Sequence, residues 1–444
     1  MGMADRTRRT ARSRSIQRRD RRIRGAIEGV RRKPDLAALW LKLWREDPPT
    51  SPLDAEMIAS HLLGMIDKSG LREDVRSFAL GELVDDIAAK DTPDAHDLLL
   101  SSATVLPVDV ADRARASAAK IAATRSPTPI WLAGLGRAVF RHARSATDSF
   151  GDQDFLVATF EHPGWRPHTF VITVDHNFNG LFKQVNITLE ADVVERKWVE
   201  ASGIKLEPVT AEELAERWDR AIEWYHAYMD PPVDEGVSAL MPLVEARRRA
   251  LPDAPRREEQ WSERSGEEVE RFVDAVLRSP QGRDLAGEGE ARSNVLREIA
   301  EYRANHADGD LWRWSPTVAE LGLLDWIPRK ALLEDEEVDL LPEALRAVVR
   351  VAAERKGLTD QDLAETLNWI DHCEPDYRAA MADGSMQGPA TVIAKLMRDD
   401  GVDFTDTDAV HAWHDRFNAR PKEERDALLG PALDRMMARM GSPE

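Results

Sequence analysis

The stretch DFLVATFEHPGWRPHTFVITVDHNFNGLFKQVNITL, residues 154–189, decides the fold, because there alone period-two alternation displaces helical patterning. It reads as a meander of strands 154–162, 168–176 and 181–189. The joints are the loop Pro163-Gly164-Trp165-Arg166-Pro167 and the turn Asn177-Phe178-Asn179-Gly180. Pairing Leu156 with Val174, Ala158 with Ile172 and Phe160 with Phe170 gives one wholly apolar face. Val185 against Ile172 and Ile187 against Phe170 extend it. A one-residue slip would turn that face outward, so parity is strongly specified.

Working outward, Thr210 and Glu213 form a capping box for a helix toward Met229, whose Leu214, Trp218, Ile222 and Tyr225 recur at helical spacing. That stripe is the expected cover for the sheet. On the other side, residues 34–125 read as a run of amphipathic helices punctuated by Asp47-Pro48-Pro49, Lys68-Ser69-Gly70 and Asp91-Thr92-Pro93. Gly134-Leu135-Gly136 is expected to open another helix. Residues 252–266 form a charged linker, and 267–444 read as helices, one framed by Pro342 and Gly357. The expected fold is mostly α (α+β), with a small central three-stranded antiparallel meander. The expected division is an arm 1–33, a helical domain 34–125, the meander with its covering helices 126–251, and a helical domain 267–444.

Composition excludes several classes. With 42% hydrophobic and 32% charged residues the chain is neither disordered nor membranous. No uncharged apolar run approaches the roughly 18–20 residues of a bilayer span. The basic N-terminal segment has no apolar stretch behind it, so no secretory signal is expected. A single cysteine, Cys373, excludes an internal disulfide and fits a reducing cytoplasm. Charge is split unevenly. Residues 1–33 hold thirteen Lys/Arg against three Asp/Glu, a balance of +10, which leaves −29 on residues 34–444 of a −19 chain. An arm of this kind is suited to polyanions, and Arg8, Arg9, Arg12, Arg14, Arg18, Arg19, Arg21, Arg22 and Arg24 are the candidate contacts to nucleic acid or a nucleoprotein particle.

Candidate chemistry is sparse. The meander as drawn sets Asp154 opposite His176, with Lys183 one pair along, a carboxylate–imidazole–ammonium group suited to general acid/base hydrolysis. His162 and His168 fall at the far end, about 26 Å away at roughly 3.3 Å per residue, so the three histidines cannot share a metal. His411, His414 and Asp415 share a helix face without a complete ligand set, and Glu223-x-x-His226 is half of a di-iron pattern. Glu195-Arg196-Lys197 echoes a nuclease arrangement but falls on an expected helix. Residues 357–364 are similar, over about a dozen positions, to the entry of a helix-turn-helix, but the acidic 371–376 segment would repel phosphate. No cofactor and no metal are expected. The favoured function is a non-enzymatic binding or regulatory protein acting through its arm, the alternative a hydrolase built on Asp154, His176 and Lys183.

Overall fold

The computed structural model of the protein describes residues 35–65, 73–121, 128–228, 230–254, 266–287, 289–384, 386–404 and 406–441. Among them no helix is long and apolar enough to cross a membrane. They cluster into two compact units. One takes its residues from 1–148 and 153–257, the other from 149–152 and 258–444.

The first unit opens with helices α1 (Leu36–Glu46), α2 (Pro52–Gly64), α3 (Glu73–Ala88), α4 (Pro93–Val105) and α5 (Val108–Ile121). Their starts follow side-chain chemistry. Asp35, Ser51 and Thr92 accept from the backbone N–H three residues on, and Pro52 and Pro93 occupy first-turn positions that need no donor. Strands β1 (Val139–Thr147), β2 (Gln153–Glu161), β3 (His168–Asp175) and β4 (Leu181–Thr188) follow. Then come α6 (Ala191–Ser202), β5 (Glu207–Val209), α7 (Ala211–Ala227) and α8 (Val237–Arg248).

The second unit holds α9 (Gly266–Arg278), α10 (Pro280–Arg283), α11 (Gly289–Asn305) and α12 (Pro316–Glu320). A wider π turn, Leu321–Trp326, leads into α13 (Ile327–Lys330). The remaining helices are α14 (Asp335–Lys356), α15 (Asp360–Asp383), α16 (Pro389–Asp399), α17 (Thr407–Asn418) and α18 (Lys422–Gly441). Pro342 does not begin a helix as expected. The acidic run supplies the start, with Glu334 and Glu337 forming a capping box, and Pro342 lies inside α14. A proline there deprives the carbonyl four residues earlier of its donor. Tyr377 Oη replaces it, donating to Val338 O at 3.2 Å. α15 runs unbroken through 371–376, so no separate recognition helix exists there.

The sheet has five strands in the order β4-β3-β2-β1-β5, not three. β1 takes the place of the helix expected after Gly136. Its sequence VFRHARSAT carries too few bulky apolar residues to announce a strand, and β5 is only three residues long. The β3–β4 pairs are as expected, Ile172 with Val185 and Phe170 with Ile187. The β2–β3 pairs are shifted by two: Leu156 opposes Ile172, Ala158 opposes Phe170, and Phe160 opposes His168. The longer loop explains it. His162 leaves the ladder, its carbonyl accepts from Trp165 N at 2.9 Å, and Gly164 takes φ +81°. Pro163 and Pro167 have no N–H to extend the pairing. A shift of two keeps inside residues inside, so the apolar face survives.

α7 covers that face. The Thr210–Glu213 capping box is formed in both directions. Leu214, Trp218, Ala221 and Tyr225 are buried, with the Trp218 ring 5.8 Å from Phe170 and 6.0 Å from Phe160. On the opposite face Trp198 of α6 stacks on Phe155 at 4.1 Å. Phe170, fully buried between two neighbouring strands and α7, is therefore central. Phe170→Ala should lower unfolding free energy by about 3–5 kcal/mol. Urea titration checks this; a loss below about 1 kcal/mol is incompatible with the packing described.

Candidate functional site

Glu56, Ser60 and Gly64 recur every four residues on α2 and meet α8 in reverse order. A Cβ on Gly64 would sit 2.2 Å from Ser238 O and 2.7 Å from Ala239 Cα, so only glycine allows this approach. One turn along, Ser60 Oγ donates to Ala239 O at 2.8 Å and accepts from Leu243 N at 3.1 Å. Those are the two groups an unbroken helix would join directly. Pro242 sits beside them inside α8, and the hydroxyl stands in the ladder where the proline disturbs it. At the next turn, Arg247 Nη2 donates to Glu56 Oε2 at 2.6 Å.

That last contact is the centre of a buried polar cluster. Glu56 also accepts from Gly136 N at 2.9 Å and lies 3.1 Å and 3.2 Å from His162 Nε2. Arg247 Nε donates to His168 Nε2 at 3.1 Å, which leaves the ring proton on Nδ1, a buried atom with no partner among the described residues. The two imidazoles stack with centroids 5.3 Å apart. Glu56, His162, His168 and Arg247 are each no more than 2% exposed. Burial opposes the Glu56 charge, yet Arg247 and His162 hold its carboxyl down at about 2. His168 is also pulled down to about 2, by burial first and then by the Arg247 cation and His162. His168 is thus neutral and Glu56 ionised.

Arg247 and Gly136 carry this cluster to a cavity of about 530 Å³ between the C-terminal ends of α4 and α8, with α5 and the 132–138 segment completing its walls. The histidines and Glu56 do not line it. Their role is to hold Arg247, the one charged residue of the cluster that lines the cavity.

The structure brings two of the three expected catalytic residues together. His176 Nε2 lies 3.2 Å from Asp154 Oδ2 even though Asp154 opposes Val174 in the ladder and not His176, because His176 folds back in a short 3-10 turn after β3. Asp154 also accepts from Thr147 at 2.6 Å and from Arg217 at 3.2 Å. Burial pushes its carboxyl up, but hydrogen bonds from His176 and Thr147 and the Arg217 charge bring it below the usual carboxylate range. Lys183 does not join them. It is the extra residue where the β3–β4 register breaks, and its ammonium pairs with Asp175 at 3.1 Å. None of the three lines the cavity.

Among the described residues no group of three or more His, Cys, Asp or Glu side chains is placed to hold a metal. Cys373 is buried, and burial pushes its thiol up to about 11, so it is no thiolate nucleophile. The nine arginines from Arg8 to Arg24 lie outside the described residues. Sequence reasoning missed Glu56 and Arg247. The signal was there: a glutamate amid Leu53, Ala55, Ile58 and Ala59, and an arginine at helical spacing from Leu243 and Val244, are charges on apolar faces.

Two outcomes follow from the cluster. Arg247→Met strands a buried carboxylate and should cost about 3–5 kcal/mol, whereas Glu56→Gln/Arg247→Met together should cost less than that single change. A double variant as unstable as the sum of its singles would contradict the pairing. The second concerns pH. Below about 6.5 the unfolded chain protonates His168 while the native chain does not, and below about 4.5 the same holds for Glu56. The unfolded state then binds more protons, so stability falls as pH falls, by at most about 1.4 kcal/mol per pH unit per group. His168→Gln should flatten the slope between about pH 6.5 and 4.5; an unchanged slope in denaturant titrations would exclude His168 as its source.

No protein-family model, curated protein or solved structure matches the chain, so its functional reading rests on this geometry and on its charge.

Proposed function

We propose that the chain is a cytoplasmic binding or regulatory protein whose arginine-rich arm contacts nucleic acid, a nucleoprotein particle or another acidic partner. One observation carries the reading: a +10 arm of 33 residues on a chain that is otherwise −29. Its guanidinium groups suit bidentate capture of phosphate. Binding is favoured over hydrolysis because Lys183 pairs with Asp175 instead of joining Asp154 and His176, and none of the three lines the cavity.

The test compares the full chain with residues 34–444 on single-stranded and duplex oligonucleotides. If six to ten phosphates are engaged, affinity of the full chain falls about 10³–10⁵-fold between roughly 50 and 200 mM salt, with slight sequence preference. The shortened chain should lose that binding and keep its thermal stability. A full chain that binds neither RNA nor DNA at low salt overturns the nucleic-acid form of the proposal. Loss of stability on removing the arm, with little binding to lose, shows the arm acting on its own acidic body.

A further inference from the structure

The cavity between α4 and α8 is chemically one-sided. Leu100, Leu106, Val108, Leu132 and Leu135 supply apolar wall, and Arg115, Arg247 and Arg249 supply charge. None of its fifteen lining residues is acidic, in a chain that carries 80 Asp/Glu against 61 Lys/Arg. A cationic ligand would therefore meet only repulsion. No lining residue is aromatic either, which removes the platform a nucleobase would stack on.

The three guanidinium groups are held, yet not neutralised to the same degree. Arg247 is matched by Glu56. Arg115 pairs with Asp112 at 2.7 Å and donates to Ala103 O at 3.2 Å. Arg249 donates to Thr104 O at 3.0 Å and has no carboxylate partner among the described residues. Ala103 and Thr104 end α4, so both bonds satisfy carbonyls that the helix itself leaves open, and they orient the two side chains along one wall. Arginine stays charged, so Arg249 brings to the cavity a cation whose hydrogen-bond partner is a carbonyl and not a carboxylate. Val108 stands 66% exposed at the cavity's edge, an apolar residue left in water by the free protein.

We propose that this cavity binds an organic anion with one charged end and an alkyl body, an alkyl carboxylate or an alkyl monophosphate. Arg249, with Arg115 beside it, receives the charged end, and the leucine-lined wall takes the chain. Arg247, its charge matched by Glu56, lines the cavity at a position fixed by Glu56 and His168. The volume is in the range of ordinary small-molecule sites.

The experiment titrates the full chain with decanoate, decyl phosphate, decylammonium and inorganic phosphate by calorimetry, and follows melting temperature in parallel. One equivalent of decanoate or decyl phosphate should bind and raise the melting temperature, the tighter of the two identifying the headgroup. Decylammonium and inorganic phosphate should not bind at the same concentrations. Arg249→Gln, at an exposed position, should weaken binding roughly tenfold or more. Ala250→Trp, at the edge of the cavity, should weaken it by blocking the alkyl path while leaving the charges in place. Because both variants retain the arm, binding that ignores them belongs to the arm and overturns the proposal. Equal affinity for decylammonium, or no binding of either decyl anion at about 1 mM, overturns it too.

Discussion

A carboxylate and a guanidinium fully removed from water, 191 residues apart in the chain, constrain the first unit more than any other contact. Neither Glu56 nor Arg247 tolerates burial alone, and each limits where the other can be. The α2–α8 approach is built to deliver them. Gly64 removes the side chain that would hold the backbones apart, and Ser60 bridges α8 beside Pro242. Arg247 then arrives one helical turn beyond Leu243, at the height of Glu56. Because ion pairs of this kind contribute little net stability compared with apolar packing, their effect is mainly on geometry.

That geometry reaches the sheet through the two histidines. His162 meets Glu56 from the position just beyond β2, where the β2–β3 connection begins. His168 must stay neutral to accept from Arg247, and its unpartnered Nδ1 is a local cost of about 1–3 kcal/mol that the rest of the core offsets.

Part of this was legible in the sequence and part was not. Parity along β2 and β3 was legible, since period-two alternation specifies which face is buried, and the Thr210 capping box announced α7 by local chemistry alone. Parity, however, is blind to a shift of two, which is settled by the 162–167 loop and its Trp165–His162 turn. β1 was illegible for another reason: β5 flanks it for only three residues, so Arg141 and His142 beyond that stretch are exposed and its alternation is diluted. At the expected catalytic group, Asp154 and His176 meet through the turn after β3 and not as the expected ladder pair, and a register break at Lys183 aims the ammonium at Asp175. Bulges are set by pairing energetics that single-strand patterns do not carry.

Arginine's different uses in this chain follow from how far each guanidinium is matched. Arg247 is matched in charge and locked in place, and its contribution is position. Arg249 is held by a carbonyl, which orients a guanidinium without neutralising it. A carbonyl dipole falls short of a full countercharge, so the field at the cavity wall persists and can be completed only by an anion from outside. Leu100, Leu106 and Leu132 line the same cavity, so an anion paired with Arg249 can lay an apolar body against them, and burying that body adds to a charge contact that would be weak by itself at an exposed guanidinium.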